Sequence, residues 1–297
     1  MDSLIQAHYS KIRRVLVIVL ILNWLVAAAK IIYGLITHCS SMTADGFHSL
    51  ADGTSNVIGL IGIHLAGQPT DLDHPYGHKK YETLFSLIIA ALLFVVAFNL
   101  GKEGLERLHN PAMPVIDIAS FAIMLLTLSV NIAVMAYEQR KGKSLKSDIL
   151  VSDAMHTRAD ILTSLSVIAA LIFMKMGFAI LDPIVTILIS LFIAFAGFQI
   201  LKVSSKVLVD SAAIMDTKRI EDIVMQIKGV KTCHKIRTRG RPDDIYIDLH
   251  AQVSGQMHVD NAHKISYAIE DAIKKGIPEV TDVVVHIEPR EDCVEGD

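Results

Sequence analysis

The sequence predicts an α-helical membrane protein with six transmembrane helices, followed by a cytoplasmic α/β domain of αββαβ order that is ferredoxin-like and metallochaperone-like. Composition is the first reason. Of the 297 residues, 52% are hydrophobic and only 20% are charged, with a mean hydropathy of +0.45. A soluble domain has about a quarter of its residues charged. The second reason is that the apolar residues form runs of about 20, the length that a helix needs to span a bilayer.

Four of the predicted spans are long apolar runs: Val15–Ile36, Thr83–Gly101, Val115–Tyr137 and Phe178–Leu201. The first run is too long for the core of a signal peptide, which has about 7–15 apolar residues. Two further segments, Met42–Gly67 and Leu150–Met174, have spanning length but carry charged side chains. They are predicted to be spans two and five, and their charges are the most informative feature of the chain.

Basic residues beside the spans predict the orientation, because such residues stay preferentially on the cytoplasmic side. With six spans, both termini lie on the same side of the membrane. That side would receive nine of the flanking basic residues, namely Lys11, Arg13, Arg14, Lys79, Lys80, Arg140, Lys141, Lys143 and Lys146. The opposite side would receive three, namely Lys102, Arg107 and Lys175. Both termini are therefore expected in the cytoplasm.

The chain is predicted to divide into a membrane domain, residues 1–209, and a soluble, acidic domain, residues 210–297. Periodicity in the second domain predicts helices at 216–227 and 258–275 and strands at 230–239, 245–253 and 280–287. This order suits helices that pack on one face of a small sheet.

Spans two and five contain the same polar pattern, D-x-x-H-x-x-x-D. It is formed by Asp45, His48 and Asp52 in span two and by Asp153, His156 and Asp160 in span five. Spacings of three and four residues place the three side chains of each motif on one helical face. An aspartate at the centre of a span costs about 2.5–3.5 kcal/mol, so these groups need partners or water.

The two spans are expected to run in opposite directions, so that His48 and Asp52 can face His156 and Asp160. Two imidazoles and two carboxylates are four N/O ligands of the type that tetrahedral Zn²⁺ takes at about 2.0–2.2 Å. Imidazole favours zinc, iron, cobalt or nickel over magnesium and calcium, which prefer oxygen alone. The alternative is a buried polar network that only fixes helix packing, or polar side chains that line a water-filled cavity.

Asp45 and Asp153 lie one turn away from this quartet. Because span five rises from the cytoplasm, Asp153 is expected on the cytoplasmic side of the site, and Asp45 on the external side. Each is either a relay ligand along a path or an acid at a helix N-terminus, stabilised as a cap or by the helix dipole. The sequence leaves both interpretations open.

Two further clusters have metal-ligand character. The loop after span two contains Asp71, His74 and His78, with Pro75 and Gly77 in a turn that could converge them. The alternative for this loop is a polar cytoplasmic segment. In the soluble domain the candidates lie on strands and one helix; they are His234, His250, His263, His286 and Glu288. Surface histidines without a metal are the alternative there.

Several classes of protein are disfavoured by the sequence. There is no overall basic excess, which argues against nucleic acid as a partner. Three cysteines without CxxC spacing indicate neither a disulfide framework nor a thiolate zinc site. HExxH, GxSxG and P-loop motifs are absent, so neither a membrane metalloprotease nor an ATP-driven pump is indicated. The protein is not expected to be an enzyme.

The chain resembles the cation diffusion facilitator family in several features that occur in the same order. These are the six spans, the HxxxD pairs of spans two and five, the loop D-x-D-H-P-Y-G-H and the αββαβ tail. The branch most similar to it contains bacterial zinc and ferrous-iron efflux transporters. The resemblance runs from about Lys11 to Pro289. It implies a homodimeric, proton-coupled antiporter that exports a divalent metal, most simply Zn²⁺, from the cytoplasm by alternating access.

The resemblance also implies roles for particular residues. The transport site falls on His48, Asp52, His156 and Asp160, and the loop site on Asp71, His74 and His78. A binuclear cytoplasmic site falls on His234, His250, His263, His286 and Glu288, where the family often has aspartate as its final acid. A charge pair at the membrane interface falls on Lys80 and Asp210.

Zinc is thus expected both as substrate and as a structural or regulatory ion in residues 210–297, the metal-binding and dimerisation domain. The expected location is the inner membrane of a bacterium, since the stretch between spans four and five lacks the His-rich loop of many eukaryotic members. Fe²⁺, Cd²⁺, Co²⁺ and Mn²⁺ remain alternative substrates. A non-transporting metal-sensing protein is the alternative function, and a channel is disfavoured because tight tetrahedral ligation would trap the ion.

Overall fold

The computed structural model describes residues 2–36, 40–109, 118–175, 181–214 and 216–290. Six long helices precede the soluble domain in this described part of the chain. They are α1 (Asp2–Ile36), α2 (Ser40–Ala66), α3 (Lys80–His109), α4 (Ile118–Leu145), α5 (Asp148–Lys175) and α6 (Leu181–Leu208). The chain forms two compact units, Met1–Ser204 and Ser205–Asp297.

The helices of the first unit have the dimensions of membrane spans. Among the described residues, α1, α3, α4 and α6 are long and apolar enough to cross a bilayer. Helices α2 and α5 have 27 and 28 residues, so each is about 40 Å long, which exceeds a hydrocarbon core of about 30 Å. Their lower hydropathy comes from the polar motifs. Each predicted span overlaps one of the six helices, and residues 115–117 and 178–180 of spans four and six lie outside the described part of the chain.

Helix α2 packs unusually close to its neighbours in the half that follows its polar motif. A Cβ added to Gly62 would lie 2.6 Å from the Phe85 Cβ of α3 and 2.8 Å from the Ile149 Cδ1 of α5. A Cβ added to Gly59 would lie 2.9 Å from the Ile149 Cγ2. Real Cβ atoms essentially never come this close to another atom, so only glycine fits here without displacing the helices. These contacts fix the end of α2 against the start of α5.

The apolar core of the first unit lies where α1 to α5 meet. Ile12, Leu16, Ile63, Ile89 and Ile149 are all buried in one cluster. A second cluster joins α3, α5 and α6. Full burial of such a side chain contributes about 1.5–3 kcal/mol in water, and helix packing inside a bilayer depends instead on close contact.

The second unit has the predicted αββαβ order. It contains α7 (Lys218–Met225), β1 (Thr232–Arg241), β2 (Asp244–Ser254), α8 (Val259–Gly276) and β3 (Val280–Arg290). The three strands form one sheet in the order β1-β2-β3, with β1 antiparallel and β3 parallel to β2. The parallel connection from β2 to β3 runs through α8, as parallel pairing requires.

Alternation along β2 separates an apolar face from a polar one. Ile247 and Leu249 are buried and pack with Ile220 of α7 and Ile269 of α8. The intervening residues of β2, including His250, lie on the other face and are half-buried. Both helices therefore cover one face of the sheet, and the other face carries the histidines. The predicted fold class, a helical membrane domain with a small α/β domain, is confirmed.

Candidate metal sites

Helix α5 carries half of the predicted transport quartet. His156 is 5% exposed, and Asp160 lies one turn further along and is half-buried. The Nδ1 atom of His156 is buried and has no hydrogen-bond partner among the described residues. The other half of the quartet, His48 and Asp52, lies on α2, but these side chains are outside the described part of the structure, as is that of Asp45.

Asp153 is completely buried, and α5 begins at Asp148, five residues earlier. Ser147 supplies the cap, because its Oγ accepts a hydrogen bond from the Leu150 backbone N at 3.3 Å. Asp153 is therefore too far along the helix to cap it. Instead, its Oδ2 accepts a hydrogen bond from the Nδ2 of Asn56 on α2.

Sequence reasoning missed several polar groups that surround this region. Glu138 of α4 is completely buried, and its Oε2 accepts a hydrogen bond from the Thr157 hydroxyl at 3.1 Å. Asn23 of α1 donates from Nδ2 to the Asn56 Oδ1 at 2.9 Å. On α1, buried Lys30 donates from Nζ to the Ser49 Oγ at 2.8 Å. The available signal was a lysine and two amides inside predicted spans, and an acid directly after the fourth one.

The loop between α2 and α3 brings its three predicted ligands together. Gly77 has a φ of +83°, a conformation that favours glycine. Its backbone N donates to the His74 carbonyl at 3.0 Å. This turn returns the chain so that ligand atoms of Asp71, His74 and His78 all lie within 4.8 Å of one another. Asp71 and His74 are accessible, whereas His78 is 4% exposed.

Distances in this loop cluster are compatible with a shared ion. The Nδ1 of His74 lies 3.1 Å from one oxygen of Asp71, and the Nε2 of His78 lies 3.3 Å from the other. Ligands of tetrahedral zinc are about 3.3–3.6 Å apart, given bonds of 2.0–2.2 Å. Although burial raises the pKa of Asp71, hydrogen bonds from the His74 backbone and side chain and the histidine charges hold it below its usual range.

The sheet of the second unit aligns a second cluster. His234 of β1 is opposite His250 of β2, and His250 is opposite His286 of β3. A bulge follows His234, with Lys235 at a φ of +50°. Bulges re-aim neighbouring side chains. Glu288 lies two residues after His286, so both point to the same face of the sheet.

Ligand atoms of His234, His250 and Glu288 lie within 4.8 Å of one another. The His234 Nε2 is 3.1 Å from the Glu288 Oε2, and the His250 Nδ1 is 2.6 Å from the Oε1. The hydrogen bond with His250 holds the pKa of Glu288 below its usual range, against the effect of burial. Neighbouring Cys233 is not a ready thiolate, because burial and then the charge of Glu221 raise its pKa to about 11.

Of the two remaining predicted ligands of the soluble domain, His286 borders this trio, its ring 4.6 Å from that of His250, and His263 is not part of it. The Nε2 of His286 lies 3.7 Å from the Glu288 Oε1, and its side chain is exposed. His263 is exposed on α8, where its ring contacts that of Tyr267 at 4.6 Å. Two histidines and a glutamate form a set that can hold a divalent cation and leave a coordination position open.

The predicted interface charge pair falls on residues of different units. Lys80 is the first residue of α3 in the first unit. Asp210 belongs to the second unit and follows α6 in a turn, with a φ of +53°. Both side chains are exposed.

Comparison with protein families gives two matches that together span most of the chain. Residues 16–209 match the cation efflux transmembrane domain. Residues 215–290 match the cytoplasmic domain of cation efflux proteins, a domain family named ZT_dimer. The histidine-bearing sheet therefore lies in the cytoplasm.

Similar proteins occur in archaea and bacteria. An uncharacterised transporter of Methanocaldococcus jannaschii is 29% identical over 279 residues, 94% of this chain and 98% of its own. The manganese efflux system proteins MneS and MneP of Bacillus subtilis are 28% and 27% identical, covering 89% and 93% of this chain and 91% and 96% of their own.

Among solved structures, a nickel form of the MamM C-terminal domain is 27% identical, with a TM-score of 0.25, and covers 25% of this chain and 95% of that one. The family of the chain is shown by the match over residues 16–209, which is more than half its length. The chain belongs to the cation diffusion facilitator family and is a multi-pass divalent cation efflux transporter, with a cytoplasmic C-terminal domain, rather than an enzyme.

Proposed function

We propose that this protein exports Zn²⁺ from the cytoplasm in exchange for protons, using a tetrahedral site between α2 and α5. The proposed ligands are His48, Asp52, His156 and Asp160. The ion reaches the site from the cytoplasm, the helix pair then opens outward, and external protons displace the metal. Since ligands must be deprotonated to bind metal, competition between metal and protons couples the two movements.

The register between α2 and α5 carries the proposal. Asn56 meets Asp153, whereas Gly62, further along α2, meets Ile149, which is earlier on α5. Residue numbers thus run in opposite directions along the two helices. Continued by one to two turns, this register brings positions 52 and 48 of α2 level with positions 156–160 of α5.

The burial of His156 gives a second line of support. In the described part of the chain its buried Nδ1 has no partner, and such an atom loses its hydrogen bonds to water without replacement. A histidine nitrogen binds either a proton or a metal ion, so an ion bound by this atom can be exchanged for a proton.

Donor chemistry favours zinc, and similarity favours manganese as the second candidate. Two imidazoles among four ligands suit zinc, iron, cobalt or nickel, whereas manganese prefers carboxylate and carbonyl oxygen. The relatives MneS and MneP are named as manganese efflux proteins. Manganese export by this chain would therefore involve a site richer in oxygen than the quartet alone.

We further propose that the soluble domain regulates a homodimer. The trio His234, His250 and Glu288 binds one cytoplasmic ion, with His286 and His263 contributing to a second, and residues 210–297 act as the metal-binding and dimerisation domain beside a transport domain of residues 1–209. The loop trio of Asp71, His74 and His78 forms a labile third site. The protein resides in a bacterial inner membrane.

Flux into proteoliposomes tests the function. The full-length protein is reconstituted with a metal-sensitive dye inside, and a pH gradient is imposed. Uptake is then compared for Zn²⁺, Mn²⁺, Fe²⁺ and Cd²⁺. Zinc uptake that follows the proton gradient supports the proposal, and uptake that favours manganese supports the second candidate. Absence of flux for every metal, from folded dimers, favours a metal-sensing protein that does not transport.

A further inference from the structure

Two carboxylic acids face each other on the hairpin of α4 and α5, outside the quartet. Glu138 and Asp153 are both completely buried. Their carboxyl groups are close enough to interact directly, and the charge of Asp160 also acts on Glu138. All three groups belong to the first compact unit.

Each of the two acids is held by one oxygen only. The Thr157 hydroxyl donates to the Oε2 of Glu138, and the Asn56 amide donates to the Oδ2 of Asp153. The remaining oxygens, Oε1 of Glu138 and Oδ1 of Asp153, are buried and accept a hydrogen bond from no other described residue. The two carboxyl groups are within hydrogen-bonding range of each other, so a proton or a cation must lie between them. Buried polar atoms are rarely left in this state unless water or an ion satisfies them.

A nitrogen atom on α5, the helix of Asp153, is also buried without a hydrogen-bond partner among the described residues. The Nδ1 of His156 is buried and without a partner in the described part of the chain. His156 follows Asp153 by three residues, so both lie on one face of α5, about 4.5 Å apart along its axis. The Asp153 oxygen and the His156 nitrogen therefore succeed one another along this face of α5, and the Glu138 oxygen belongs to the neighbouring helix α4.

The surrounding amides fix the orientation of Asp153. Asn56 donates to Asp153 while its own Oδ1 accepts from Asn23 of α1 at 2.9 Å. Thr157 is likewise fixed, because its hydroxyl also lies 3.2 Å from the Asp153 carbonyl. Groups that orient ligands in this way are typical of metal sites.

From this geometry, and given the proposed transport function, we propose that Glu138 and Asp153 form a second divalent-cation site that receives the ion from the cytoplasm before it reaches His156. Asp153 is five residues from the start of α5 and Glu138 seven residues from the end of α4. The basic residues beside this hairpin place it on the cytoplasmic side.

The ligands predict how the two sites share the ion. Carboxylate oxygens suit Mn²⁺ and Mg²⁺, whereas imidazole adds affinity for zinc. The Glu138–Asp153 site should therefore bind zinc more weakly than the quartet and pass it on. Because its donors are oxygens, it should accept manganese more readily than the quartet does.

Charge-removing variants test the proposal in the full-length protein. Glu138→Gln and Asp153→Asn keep the side-chain size. Glu82→Gln is the matched control, because Glu82 is equally buried and also accepts a hydroxyl hydrogen bond, from Ser147 at 2.5 Å, but is not part of the proposed site. Equilibrium binding of Mn²⁺ is counted in detergent, and flux is measured in proteoliposomes. We expect both variants to lose one bound Mn²⁺ per chain and to raise the KM for cytoplasmic-side metal about 10–100-fold. The control should keep both values.

Unchanged Mn²⁺ stoichiometry and KM in both variants would overturn the proposal, and so would an altered pH profile with full metal binding, which would assign the pair to protons. Glu138→Asp keeps the charge and guards against misfolding: it should retain the bound ion with a raised KM, and an unchanged KM contradicts the site.

Asp160→Ala separates the two proposals. It should abolish flux yet keep this Mn²⁺, whereas full flux in Asp160→Ala overturns the transport site instead.

Discussion

The proposed metal ligands of the membrane helices and those of the cytoplasmic sheet differ in how many of their polar atoms have partners when no ion is bound. In α5 and α4, His156, Asp153 and Glu138 are almost completely buried, and each has a polar atom that no described residue outside this group satisfies. In the sheet, Glu288 contacts both His234 and His250. These sheet residues are half-buried, so water can reach them.

This difference indicates different tasks. Buried ligand atoms that lack hydrogen-bond partners bind a cation strongly. They are stabilised by protonation as well, so a bound metal ion can be exchanged for protons. A half-exposed cluster whose members already pair is preorganised, and an ion that binds there replaces existing hydrogen bonds with coordination. We infer that the membrane residues move ions and that the sheet residues respond to the cytoplasmic concentration.

Loss of a transport ligand should have the largest effect. Asp160→Ala is expected to reduce zinc flux by about 100-fold or more, because loss of even an orienting partner costs about 10–100-fold in metal affinity. Ser164→Ala is the control, since among the described residues its hydroxyl donates to the Asp160 backbone carbonyl, at 2.9 Å, and not to a proposed ligand side chain. Proteoliposome flux measures both variants, and full activity in Asp160→Ala would remove Asp160 from the site.

Exchange of an imidazole for a carboxylate should change selectivity rather than abolish transport. In His156→Asp the quartet has one nitrogen ligand and three carboxylates. Zinc flux is expected to fall about tenfold relative to manganese flux, because manganese prefers oxygen donors. The ratio of the two initial rates measures this. A ratio that stays at the wild-type value would contradict metal selection by the quartet.

Removal of a sheet ligand should affect stability more than flux. Zinc at 100 times its Kd stabilises a protein by about 2.7 kcal/mol. His250→Ala should lose most of the zinc-induced rise in Tm of the full-length protein, while saturating flux stays within about twofold. His258→Asn is the control, because it is exposed and retains an N-cap acceptor for α8. An equal zinc-induced rise in both variants would exclude His250 as a ligand.

The loop site should give the smallest effect on transport. Asp71→Asn removes the charge that His74 and His78 share, and it is expected to release one bound metal ion per chain and to change flux by less than about threefold. Asp73→Asn is a neighbouring exposed control. Equilibrium dialysis counts the ions. Equal stoichiometry in the two variants would mean that the loop holds no ion.

The sequence predicted the fold well because helix length and strand alternation are local properties. Helices α1 to α6 and the order of the tail follow from runs of apolar residues and their period. The loop trio was also predictable, since Asp71, His74 and His78 lie within eight residues. Glu138 was missed because its importance depends on a contact with Asp153, which is 15 residues away on the next helix. Asp153 in turn is held by Asn56, which lies on a third helix.

The metal-ligand cluster of the sheet could not be predicted from local patterns alone, because it depends on how distant strands pair. Strand pairing brings His234, His250 and Glu288 together, and no local pattern fixes that register. His263, which family resemblance places in the same site, lies beside Tyr267 on α8 instead of in the trio.

The most direct test of the transport site is zinc K-edge X-ray absorption of the full-length protein in which the other sites are silenced by His250→Ala, His78→Ala and Glu138→Gln. With one equivalent of Zn²⁺, the account predicts four N/O ligands at about 2.0–2.2 Å, two of them imidazoles, and loss of this signal on adding Asp160→Ala. A six-coordinate oxygen shell, or an unchanged spectrum in Asp160→Ala, would contradict the proposed site between α2 and α5.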